Sequence, residues 1–136
     1  MSETEIDKAL YEAAEAVRKN AYAPYSKFQV GAAILADDGK IYSGCNVENA
    51  AYPVGNCAEP SAIAAMLAGG GKRITRIYVT GPGAMPVTPC GGCSQRIREF
   101  ADLDVVVISH GVDGTPLEQT LGQLLPHSFG PEFLAK

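Results

Sequence analysis

GNCAEPSAIAAM, residues 55–66, sets a cysteine, a glutamate and a proline at the start of a run of small residues. Proline is tolerated in a first helical turn, where N–H groups lack intrahelical partners. The spacing therefore predicts a helix over 58–68, stopped by Gly69-Gly70-Gly71. A second stretch, TPCGGCSQRI (88–97), repeats the arrangement: a proline, two cysteines three apart and a helix from about Cys90 to Phe100.

Each of these helices follows a strand pattern. KIYSGCN (40–46) precedes the first and RITRIYVT (73–80) the second. FQVGAAILA (28–36) is the hairpin partner of 40–46, through the turn signal DDG at 37–39. VVVIS (105–109) is a continuous apolar run, as in a strand buried on both faces. Upstream, TEIDKALYEAAEAVRKN (4–20) carries Ile6, Leu10, Ala13 and Val17 on one helical stripe, with Ser2 and Glu5 as a capping box. DGTPLEQ turns back as a short segment, and LGQLLP (121–126) is a last short helix. The order α-β-β-α-β-α-β is mixed α/β, one sheet covered by helices.

The chain has 136 residues, enough for a single domain over 1–136 with a hydrophobic core. It is 46% hydrophobic and 19% charged, with a formal net charge of −4. No Lys/Arg cluster is present, so a nucleic-acid partner is not expected and a small uncharged ligand suits the balance better. No apolar run is long enough to span a membrane, and the acidic MSETEIDKAL does not read as a signal peptide. A cytoplasmic setting is expected, where four cysteines argue for metal or catalysis over disulfides.

Cys90 and Cys93 share one face of a helix start, and Gly91 and Gly92 clear room between them. On its own the CxxC pair is equally a redox pair or a structural zinc knuckle. Cys57 sits beside the start of the preceding helix. Connections from one sheet bring such helix N-termini together, and their partial positive charge depresses thiol pKa values. Three thiolates leave a fourth position open, as in a catalytic zinc site, and Glu59 stands beside it. Cys–x–Glu followed by Pro–Cys–x–x–Cys is the established zinc-deaminase signature, so the chemistry attached to it is that of the known pattern. Cys45 is either a fourth ligand closing the site or a small residue at a strand end.

Nearly the whole chain resembles the small, homotetrameric cytidine deaminases. The resemblance runs from AYAPYSKFQVGAAIL through GCNVENAAY, NCAE and PCGGC to LLPHSFGPEFL. It implies a three-layer α-β-α fold with a five-stranded mixed sheet and sites at subunit contacts. It implies one zinc per subunit on Cys57, Cys90 and Cys93, with Glu59 as the proton shuttle. By the same resemblance Asn46 and Glu48 hold the ribose hydroxyls, Phe28 neighbours the base, and the Ala58 N–H donates to the pyrimidine carbonyl. Tyr52 and Phe129 approach a neighbouring subunit's site. Read without the resemblance, Asn46 and Glu48 are turn residues, Phe28 is a core strand residue, and Tyr52 and Phe129 are ordinary packing. The implied activity is hydrolysis of cytidine or 2′-deoxycytidine to uridine or 2′-deoxyuridine with release of ammonia, in pyrimidine salvage.

The chain departs from the family where Arg often follows the glutamate, here Pro60, and where a basic residue often follows the last cysteine, here Ser94. Zn²⁺ with three thiolates carries excess negative charge, which an arginine on the sulfurs offsets. The two helix N-termini, or Arg96 if it turns inward, are the substitutes available. Three rival readings remain: a blasticidin-type deaminase, against which the Asn46/Glu48 pair argues; a non-catalytic zinc-stabilised module; and a CxxC redox protein.

Overall fold

The first helix begins where the sequence places its cap. Ser2 Oγ accepts a hydrogen bond from the Glu5 N–H at 3.2 Å, and α1 runs over Glu3–Arg18. The Glu5 carboxylate returns to the Ser2 hydroxyl and not to the backbone, so the box closes through side chains alone. In the computed structural model, which describes residues 1–135, there follow β1 (Gly31–Ala36), β2 (Ile41–Cys45), α2 (Ala58–Ala68) and β3 (Ile74–Gly81). The chain continues with α3 (Gly91–Phe100), β4 (Val106–Gly111), β5 (Leu117–Thr120) and α4 (Leu121–Leu124). Two 3-10 turns, Tyr52–Val54 and Pro131–Phe133, have no counterpart in the sequence reading.

The five strands lie in the order β2-β1-β3-β4-β5. Only β3 and β4 are parallel, joined through α3; the other pairs are antiparallel. Alternate residues serve opposite faces. Ala32, Ile34, Ile77, Val79 and Val107 pack with Ala62 and Met66 of α2 and Ile97 of α3. Ala33, Tyr78 and Ile108 meet Leu10 and Ala14 of α1. The result is three layers, α-β-α. A sheet buried on both faces explains why residues 105–109, which lead into β4, read as an unbroken apolar run rather than an alternating one.

Helix backbones press directly on the sheet at two glycines. A β-carbon on Gly44 would lie 2.3 Å from the Ala62 nitrogen in α2, and one on Gly31 would lie 2.1 Å from the Ala14 oxygen in α1. Those approaches require residues without side chains.

β1 is shorter than the 28–36 expected. Lys27 has φ 61°, and the next residues are held by a side chain in place of a ladder. Asn46 Nδ2 donates to the Phe28 carbonyl at 2.8 Å, and Asn46 Oδ1 accepts from the Val30 N–H at 2.8 Å. An asparagine that mimics a strand neighbour leaves no trace in an apolar/polar pattern.

The topology fixes where a site forms. β2 and β3 both run antiparallel to β1, so both point the same way and α2 and α3 start at the same end of the sheet. Cys45, Gly31 and Thr80 stand in one cross-strand row at that end.

Candidate active site

Cys57 is the N-cap of α2 and Cys90 the N-cap of α3. Neither thiol closes a cap hydrogen bond. Cys93 lies one turn into α3 and is buried, whereas Cys57 and Cys90 are exposed. The Cys93 thiol stands close enough to Cys57, Cys90 and the Glu59 side chain for each to shift the others' ionisation. Two segments more than thirty residues apart thus meet at four side chains. Among the described residues no three His, Cys, Asp or Glu side chains form a ready-made cage.

The electrostatics of this cluster are those of crowded acids. Burial pushes the Cys93 thiol well above its ordinary value, and the neighbouring Glu59 charge adds to the effect. Burial likewise raises the Glu59 carboxyl, opposed by its own N–H, by Arg96 and by the Cys93 contact. Cys90 moves down, because the Cys93 and Gly92 N–H groups at the start of α3 point at its sulfur. One thiol readily ionised, one buried thiol that resists ionisation and a buried carboxyl describe a site that a soft divalent cation would relieve. An all-sulfur set next to an acid suits zinc, and neither histidine of the chain is part of it.

Arg96 is exposed, yet its guanidinium folds back over the start of α3. A β-carbon on Gly92 would lie 3.2 Å from Arg96 Nη1 and 3.9 Å from Cys90 Sγ, so both groups flank one glycine. The charge it lends to Glu59 stands where Pro60 and Ser94 supply none. Pro60 occupies the first turn of α2, and Ser61 Oγ donates to the Cys57 carbonyl at 3.1 Å.

Beside Cys57 opens a cleft of about 450 Å³, walled by Tyr25, Ser26, Asn46, Glu48, Tyr52 and Asn56 among others. Two short bridges, Tyr22↔Val47 and Val47↔Asn56, draw its walls together. Asn46 and Glu48 both line this cleft, and both also hold backbone. The Asn46 amide holds the 28–30 segment, and Glu48 accepts from the Tyr25 N–H at 2.9 Å, the Ser26 N–H at 3.1 Å and the Ser26 hydroxyl. These bonds, the Ser26 hydroxyl foremost, hold the Glu48 carboxyl below the usual carboxylate range.

The remaining expected residues divide. Ala58 opens α2 and is buried, so its N–H has no intrahelical acceptor. Tyr52 walls the cleft of its own chain, its ring edge-on to Tyr25 at 5.9 Å. Phe28 is 43% exposed and does not wall the cleft, and its carbonyl is held by Asn46. Phe129 lies on the C-terminal segment beside α3, stacked on Phe133 at 4.9 Å. Cys45 ends β2, half-buried opposite Gly31. Tyr25, Ser26 and Asn56 were missed as cleft residues. The stretch AYAPYS, part of the family resemblance, was the signal that pointed to the first two.

A sheet with two helix starts at one end, thiols on both starts and a buried acid between them belongs to the zinc-dependent deaminases in outline. Comparison with known proteins makes this specific. The pattern of the cytidine and deoxycytidylate deaminase zinc-binding region matches residues 4–109. A cytidine deaminase of Sporosarcina psychrophila is 42% identical over 131 residues, 96% of each chain. One from Mycobacterium tuberculosis is 39% identical, covering 85% of this chain and 84% of its own. The crystal structure of cytidine deaminase from Burkholderia pseudomallei superposes with a TM-score of 0.86 at 42% identity, over 95% of this chain and all of the other. The chain belongs to the cytidine deaminase family.

Proposed function

We propose that this chain is a zinc-dependent hydrolase that deaminates cytidine and 2′-deoxycytidine to the uridine nucleosides. The observation that carries the reading is the buried Glu59 carboxyl gathered with Cys93, Cys57 and Cys90 where two helices start, with Cys57 at the wall of a cleft of nucleoside size. Family membership and the relatives' names support the substrate class.

Cys57, Cys90 and Cys93 would hold the ion. Zinc held there would supply the Lewis acidity that lowers the pKa of water toward ~7. Glu59 takes a proton from the attacking water and delivers it to ring N3 as the oxygen adds to C4. It then takes the proton of the new C4 hydroxyl and passes it to the exocyclic amine, so the C4 carbonyl forms, the C4–N bond breaks and ammonia leaves. A carboxyl raised by burial cycles between charge states near operating pH more easily than an exposed one. The Ala58 N–H donates to the pyrimidine carbonyl. Asn46 and Glu48 meet the sugar hydroxyls through the lone pairs and N–H that their backbone contacts leave free. Tyr52 borders the bound nucleoside, and Phe129 reaches it from a second copy of the chain.

The exposed aromatic and aliphatic groups Tyr22, Tyr25, Val47, Tyr52 and Val54 around the cleft support assembly, and a homotetramer of single-domain chains is the form we infer. Four unpaired cysteines suit a reducing cytoplasm and a role in pyrimidine salvage. No helix among the described residues is long and apolar enough to cross a membrane.

Ammonia release from a panel of aminated nucleosides by zinc-loaded protein tests the reading, with Glu59→Ala as control. Turnover of cytidine and deoxycytidine that disappears in Glu59→Ala is expected. Turnover of blasticidin alone, or equal rates with and without Glu59, overturns it.

A further inference from the structure

Arg98 is a buried cation that the proposed chemistry does not use. It lies on α3, five residues past Cys93, and is only 7% exposed. A buried guanidinium needs partners for its donors, and all those it has lie on the C-terminal segment. Nε donates to Ser128 Oγ at 3.0 Å, Nη1 to the Glu132 carboxylate at 3.3 Å, and Nη2 to the other oxygen of the same carboxylate. The fork is bidentate, the geometry in which Arg fixes a carboxylate's orientation as well as its position. Gln95, one turn earlier on the same helix face, donates to the Phe129 carbonyl at 2.8 Å. Gly130 passes so close over the guanidinium that a β-carbon there would lie 2.4 Å from its central carbon.

Polar anchors beneath the segment leave its apolar side chains outward. Phe129 and Phe133 stack with ring planes 25° apart, and each is more than half exposed. Without the anchors nothing in the packing would order the pair, since this segment adds no residue to either core cluster. The same helix carries Cys90 at its N-cap and Cys93 in its first turn. α3 is therefore one rigid body that sets the thiols at its start and an aromatic platform along its flank.

We propose that Arg98 is a positioning residue. With Glu132, Ser128 and Gln95 it holds Phe129 and Phe133 in the orientation in which the pair borders the nucleoside site of a second copy. The proposal rests on the reading given under Proposed function. Its effect falls on nucleoside affinity and leaves the metal and the proton transfer untouched.

Two measurements test it. The first is hydrogen exchange over residues 128–134, which judges the clamp whatever the substrate. Faster exchange in both Arg98→Gln and Glu132→Gln, with the rest of α3 unchanged, is expected; protection equal to the parent's in both overturns the clamp. The second is steady-state kinetics with cytidine for Arg98→Gln, Glu132→Gln, Phe129→Ala and the pair Arg98→Gln/Phe129→Ala. Each single change is expected to raise KM by about tenfold, the scale of one misplaced aromatic contact, with kcat and zinc content unchanged. The double variant is expected to be no worse than Phe129→Ala alone, because both changes remove one and the same contact. Additive losses, or a fall in kcat at unchanged KM, overturn the positioning role. Glu132→Gln, at a side chain 58% exposed, keeps the test valid if Arg98→Gln fails to fold. A parent protein that releases no ammonia from cytidine refutes the activity reading, and the exchange result then stands on its own.

Discussion

Replacing Gly44 by alanine places one methyl group where the account allows none. The added carbon would stand 2.3 Å from the Ala62 nitrogen, 2.5 Å from the Ser61 carbonyl carbon and 2.7 Å from Ser61 Cβ. Comfortable contact between such atoms is about 3.5–4.0 Å. Two of the three are helix backbone and the third is fixed to it, so no rotamer change relieves the overlap. α2 must lift by about 1 Å from the sheet or β2 must bend. Overpacking of this kind costs ~1–3 kcal/mol, and the rigid neighbours place Gly44→Ala at the upper end. In a domain of this size each kcal/mol moves Tm by ~3–4 °C, so a fall of about 10 °C is expected. α2 also carries Cys57 and Glu59, so zinc retention against a chelator should weaken in the same variant. The matched control is Gly91→Ala, at the first residue of α3, where a β-carbon meets nothing within 4 Å. Alanine favours a helix over glycine by up to ~1 kcal/mol, so its Tm should hold or rise. Thermal unfolding followed by circular dichroism, with zinc and with chelator, decides the matter. Gly44→Ala melting within about 2 °C of the parent, or Gly91→Ala falling as far, would refute the reasoning.

Other elements give independent tests. Tyr78 is buried, and burial pushes its phenol from 10 up to about 12. The folded state then keeps a proton that the unfolded chain releases, so stability is intact below pH 10 and declines from pH 10 to 12, by up to ~2–3 kcal/mol. Urea unfolding across that range should show a steeper alkaline loss in the parent than in Tyr78→Phe; equal slopes would contradict it. Asn46→Ala removes two hydrogen bonds to the 28–30 segment and should cost ~1–3 kcal/mol in urea unfolding with no nucleoside present, an effect that a purely ribose-binding asparagine would not give. Arg96→Gln should weaken zinc retention about two- to fivefold in chelator competition, the scale of an exposed charge contact. That loss should fade in high salt, and a salt-independent loss would point to packing instead.

Much of the architecture was legible because its physics is local. Caps, turn glycines and apolar runs placed the four helices and four of the five strands within a few residues, while β5 read only as a short returning segment. The CxxC and Cys–x–Glu spacings named the four side chains that meet at Cys93. What stayed hidden depends on long-range polar contacts. The truncation of β1 comes from the Asn46 amide, eighteen residues away from Phe28. The second duty of Glu48, holding the Tyr25–Ser26 backbone, spans a similar gap. Arg98 reads as one more polar residue on an amphipathic helix, and only the tertiary fold shows it buried beneath Gly130. Periodicity records which face is apolar; it does not record which polar side chain has a partner across the fold.

X-ray absorption at the zinc edge of the loaded protein addresses the heart of the account most directly. Three sulfur neighbours at about 2.3 Å and one oxygen near 2.0 Å are expected, with the sulfur count falling to two in Cys93→Ser and unchanged in Cys45→Ser. Four sulfur neighbours in the parent, or a signal that loses sulfur when Cys45 is replaced, would contradict an open site built from Cys57, Cys90 and Cys93.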